Sequence, residues 1–172
     1  MTVRQAEKQA ADLLEQFGIG TVPVPVEDIA VRLGVKIVHE SLDNTISGLL
    51  LRERGAKLIA VNSDHNPRRR RFTIAHELGH LQMHEGDYIV DSTVRVNRRD
   101  SSSSTASDRD EIDANAFAAA LLMPARMVRD ALERLRDSQV SNPSRVVEAL
   151  AEQFGVSAEA MGYRLINLGI AT

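Results

Sequence analysis

His76, Glu77 and His80 stand as H-E-x-x-H within the stretch RRFTIAHELGHLQMH. Two histidines four positions apart on a helix lie one turn above the other, about 40° apart in rotation, so both imidazoles can reach one metal ion. Glu77 beside them is then placed as a general base toward water activated at that ion, which is the chemistry of a zinc hydrolase. A catalytic zinc takes a third protein ligand and keeps its fourth position for water. The chain has no cysteine, and the extended form H-E-x-x-H-x-x-G-x-x-H fails, because Met83 and Gly86 stand where glycine and histidine would be needed. A carboxylate on a later helix remains. Glu111 is preferred, with Asp108, Asp110 and Asp113 as competitors. Asn115 falls one turn beyond Glu111 on the same face, where its amide oxygen could accept the second N–H of a ligating histidine. Asp113 lies about 160° round the helix from Glu111. Spacing alone leaves the choice open, since acidic residues are favourable in any first helical turn. His84, rotated about 80° from His76, reads as a group at the rim rather than a further ligand. It joins His65, Tyr88 and Arg71 as a candidate donor to the oxyanion.

The elements that must hold these residues follow from pattern and punctuation. Helices are expected over 3–17 and 26–33, with Gly18, Gly20 and Gly34 as stops. Strands are expected at 35–39, 48–52 and 58–62, the last two joined by Glu53-Arg54-Gly55, which makes a small antiparallel or mixed three-stranded sheet. The motif helix should run over 69–84 and break at Gly86-Asp87. From 92 to 108 the composition turns to Ser, Arg and Asn and predicts a mobile loop. Four helices should follow, at 110–123, 124–137, 143–154 and 158–168. The fold class is therefore α+β, with residues 1–137 carrying the metal site and 138–172 forming a C-terminal helix-turn-helix-like hairpin packed on it. Gly79, inside the motif helix, costs up to about 1 kcal/mol against alanine, which points to close approach by another segment or by substrate. The strand at 58–62 leads directly into the motif helix and could offer an edge for an extended substrate.

Composition narrows the possibilities. The chain has 172 residues, 21 Lys+Arg against 24 Asp+Glu, a net charge of −3 and 43% hydrophobic residues. That is enough to bury a core without disulfides or a structural metal. The absence of cysteine excludes thiol nucleophiles, cysteine zinc sites and iron–sulfur ligation, and fits a reducing compartment. Residues 1–16 mix charges among alanines and leucines, so no signal region is expected there, and no apolar run reaches membrane-spanning length. A cytoplasmic protein is expected. Residues 52–71 hold seven basic side chains against Glu53 and Asp64. Without interleaved aromatics several of these read as a solvated face, or as partners for Asp108, Asp110 and other acids near the site, rather than as a nucleic-acid site. In the hairpin only Glu159, Tyr163, Arg164 and Asn167 could reach base edges or phosphates, which favours docking or packing over DNA readout.

The motif stretch, followed by EIDANAFAAALLMP from Glu111 to Pro124, resembles the ImmA/IrrE family of zinc metallopeptidases. The similarity runs over essentially the whole chain, from the N-terminal helix through VPVPVEDIAVRLGVKI and SGLLL to the last helices. The resemblance implies that Glu111, the glutamate of E-x-x-A-N, joins His76 and His80 as the third Zn2+ ligand, with Glu77 catalytic. It also implies a cytoplasmic endopeptidase that cuts a helix-turn-helix repressor and so derepresses phage, mobile-element or stress genes, with no direct nucleic-acid or membrane partner. Against this stand a regulatory or toxin–antitoxin-type module that binds a repressor without turnover, and a DNA binder using the hairpin.

Overall fold

Asn66 caps the motif helix after the turn that follows Asn62: its side-chain oxygen accepts from the Arg69 amide at 3.0 Å while Pro67 takes the first helical position. Both choices favour a helix start, so the motif helix begins two residues earlier than the spacing predicts. The computed structural model describes residues 2–84, 88–92, 104–137 and 142–170, and gives backbone alone for 88–92, 104–107 and 137. Its elements are α1 (Val3–Gln16), α2 (Val26–Arg32), β1 (Val35–Glu40), β2 (Ile46–Glu53), β3 (Ala56–Asn62), α3 (Pro67–Met83), β4 (Tyr88–Ser92), α4 (Ser104–Leu122), α5 (Ala125–Asp137), α6 (Pro143–Phe154) and α7 (Ala158–Asn167).

The α+β class holds, with a mixed sheet. β2 and β3 form an antiparallel hairpin across Arg54 and Gly55, whose positive φ of 48° and 86° suit a tight two-residue turn. β1 pairs parallel with β3, and β4 joins the far side of β2, giving the order β1-β3-β2-β4. Two expectations are corrected here. β3 is hydrogen-bonded on both sides, so it is no edge for a substrate; Ile59, Ala60 and Val61 are buried as a central strand demands. The segment 92–108 is not wholly a loop: Ser92 closes β4, 104–108 are the first turns of α4, and 93–103 lie outside the described residues.

α3 and α4 cross through the core, with Ile74, Leu78, Phe117 and Leu121 all fully buried. The crossing is tightest at Gly79, where a Cβ would sit 3.2 Å from both the Cα and the carbonyl oxygen of Ala114. Another chain segment does approach the helix glycine, and it is α4. Gly79→Val should cost about 2–3 kcal/mol through overpacking against backbone that cannot swing aside. At about 2–4 °C per kcal/mol this lowers Tm by roughly 4–12 °C in a calorimetric scan, and an unchanged Tm would contradict the close crossing. α6 and α7 continue the same core through Val146, Leu150, Phe154, Met161 and Leu165. The hairpin turn uses Gly155 in the left-handed region, at φ 66°, and Ser157 as the cap of α7.

Candidate metal centre

The close α3–α4 crossing brings one face of each helix together above Gly79. His76 and His80 are 3% and 2% exposed, and their Nε2 atoms lie 3.0 Å apart. From α4, the Glu111 carboxylate sets Oε2 3.3 Å from His76 Nε2 and Oε1 3.4 Å from His80 Nε2. These three residues form the group, among those described, whose ligand atoms could hold a metal ion. The separations are those of a tetrahedron: ligand bonds of about 2.0–2.1 Å require donors about 3.3 Å apart. Burial raises the Glu111 carboxyl, yet hydrogen bonds from both histidines outweigh it and hold the group well below the usual carboxylate range. Three electron-rich donors this close would repel one another unless a cation, proton or metal, lay among them.

Groups behind the donors set their orientation. Asn115 Oδ1 lies 3.1 Å from His76 Nδ1, so that nitrogen donates and Nε2 is the atom turned toward Glu111 and His80. Phe72 stacks on the His76 ring at 6.4 Å between centroids. His84 caps α3, its Nδ1 3.0 Å from His80 Nδ1 and its Nε2 3.4 Å from Asp110. Burial lowers the His84 pKa, opposed by the Asp110 charge. Glu77 is fully buried. A Cβ on Gly48 would meet its Oε1 at 3.3 Å and the Thr73 methyl at 2.5 Å, so β2 leaves room for the carboxylate by having no side chain there.

The structure disperses the other candidates. Asp110 pairs with His84, Asp113 is 3% exposed, and Asp108 is on the surface. Arg71 is committed to the Val24 carbonyl at 2.8 Å, His65 sits in the turn before α3, and the Tyr88 side chain lies outside the described residues. Of the basic cluster, Arg54, Arg68 and Arg69 are exposed, as a solvated face requires. Arg52 donates to the His84 and His80 carbonyls at 2.6 and 2.7 Å, capping the motif helix, and Arg69 donates to Ser47. Gly48 and Arg52 were missed as site residues. A glycine inside a strand is the signal for Gly48, since it marks a bulge or close approach, and the β2–β4 register indeed shifts between Ile46 and Gly48.

The family model described as the IrrE N-terminal-like domain, Peptidase_M78, matches residues 30–166. Over 135 residues the chain is 29% identical to an uncharacterized immunity region protein 2 of Bacillus phage phi105, covering 77% of this chain and 73% of that protein. It also superposes on a Mycobacterium tuberculosis transcriptional regulator with a TM-score of 0.62 at 22% identity, over 94% of this chain. The chain spans 46% of that structure, so the likeness concerns the fold.

Proposed function

Because the chain belongs to the Peptidase_M78 family of IrrE N-terminal-like domains, we propose that it is a zinc-dependent endopeptidase that cleaves a helix-turn-helix repressor, releasing phage, mobile-element or stress genes. The observation that carries this reading is the buried triangle of His76, His80 and Glu111, with donor separations of 3.0, 3.3 and 3.4 Å. Two imidazole nitrogens and one carboxylate suit zinc better than magnesium or calcium, which favour oxygen ligands. Bound there, zinc would supply a Lewis acid that lowers the pKa of water to about 7 and polarises a scissile carbonyl.

The chain's own residues do the rest. Glu77 accepts the proton of the attacking water on its carboxylate and returns it to the departing amine. Asn115 fixes the His76 tautomer, and His84 steadies the His80 ring from the side. Asn115→Ala is expected to weaken zinc binding by about 10–100-fold in a chelator competition, since support of this kind is worth that much in metal affinity. The side chain is exposed, so Tm without metal should not move. An unchanged zinc affinity would remove Asn115 from the site.

Similarity to a protein named for a phage immunity region supports a repressor as the partner. No described helix is long and apolar enough to cross a membrane, which is in keeping with a cytoplasmic encounter. In this reading residues 1–137 carry the chemistry and 138–172 form the docking hairpin. The test is to incubate the zinc-loaded chain with the helix-turn-helix regulator encoded nearest its gene and to weigh the products. One discrete cut, absent with Glu77→Gln and with chelator, is expected. A tight zinc-loaded complex with no cut would replace the peptidase by a sequestering module.

A further inference from the structure

Between the start of α3, the middle of α4 and the hairpin lies a groove of about 910 Å³, near the upper end of the roughly 300–1,000 Å³ usual for ligand sites. Phe72, Ala119 and Ala160 give it an apolar floor, and Asn115 stands in its wall, so the groove opens beside the amide that holds His76. Glu159, Tyr163, Arg164 and Asn167 all line it. These are the hairpin residues that a DNA reader would have to present to bases. Here they face a groove walled by the helices of the metal centre, and Arg164 is buried on Glu7 and on the Met123 carbonyl.

The groove's basic end is built against local preference. Arg68 and Arg69 follow Pro67 in the first turn of α3, where the helix dipole disfavours cations. Arg69 donates to Ser47, but among the described residues no acidic side chain pairs with Arg68, which is exposed. Tyr163 is 63% exposed beside the apolar floor. A cation with no internal partner, next to apolar surface, complements an external segment that carries both features.

We infer that this groove docks a peptide segment of a partner protein, its apolar side chains on Phe72, Ala119 and Ala160 and an acidic residue at Arg68, and that the recognition face of the hairpin has become a protein-reading wall. The binding stands on the groove alone; its consequence, delivery of a peptide bond to the metal centre, rests on the peptidase reading. The test uses the full chain stripped of metal, so that no cleavage intervenes. A displayed library of random twelve-residue peptides is selected on it, and the winners are synthesised for fluorescence anisotropy.

Enriched peptides should combine apolar residues with Asp or Glu. Their affinity should fall at least about 10-fold with Arg68→Glu, with Tyr163→Ala, or when the peptide acids become lysine, and should not change with Glu77→Gln. Both groove variants alter exposed side chains, so their Tm should match the wild type. Peptides without acidic bias, or binding indifferent to both variants, would overturn the proposal. So would duplex DNA bound with steep salt dependence and lost in the same variants. Peptide binding that persists while the repressor is never cut would support the groove and count against the peptidase reading alone.

Discussion

Glu77→Gln is expected to keep one zinc per chain and to lower turnover by about 10²–10⁴-fold, the usual worth of a positioned general base. Glutamine is isosteric, so it fits the same fully buried space against Gly48 and Thr73 without new contacts. It loses only the ability to take a proton. Metal content by mass spectrometry and single-turnover cleavage, measured on one preparation, check the two halves together. If zinc is lost along with activity, Glu77 holds the site rather than the proton, and its assignment as base fails.

Glu111→Ala should have the second large effect, the loss of metal binding itself. Among the described residues the carboxylate is the donor that α4 contributes, and without it two histidines 3.0 Å apart are left to hold the ion. At a free zinc concentration about 1,000 times Kd, binding to the native state alone adds roughly 4 kcal/mol, or about 8–16 °C in Tm. The wild type should show that rise and lose it on chelation. Glu111→Ala should show almost none, and its metal-free Tm should fall modestly at neutral pH, because the hydrogen bonds from both histidines that hold the carboxyl low are lost with it. A full zinc-induced shift in Glu111→Ala would hand the third position to another acid.

The motif helix and its histidines are legible because their signal is local. A four-residue spacing on a helix fixes two donors on one face, and the Glu111–Asn115 spacing does the same on α4. The crossing at Gly79 is legible as a misfit, an unfavourable glycine amid helix formers. Strand order is a different matter, since β3 reaches the centre of the sheet only when β1 folds parallel to it. The unbroken apolar run Leu58 to Val61 is the one local hint of that position. α4 begins six residues before its expected start, because Ser104 to Asp108 read as loop by composition while continuity with an apolar helix carries them into it. Arg52 was unreadable as a helix cap because it acts across 28 and 32 positions of sequence, which no periodicity records.

α3 and α4 together gather two imidazoles and one carboxylate that could hold a metal ion. X-ray absorption at the zinc edge of the loaded protein tests it most directly. The structure predicts one zinc per chain with four light-atom ligands at about 2.0–2.1 Å, two of them carrying the outer scattering of imidazole rings, and a spectrum that changes in Glu111→Ala. Zinc with six ligands, with fewer than two imidazoles, or with a spectrum unmoved by Glu111→Ala would contradict it.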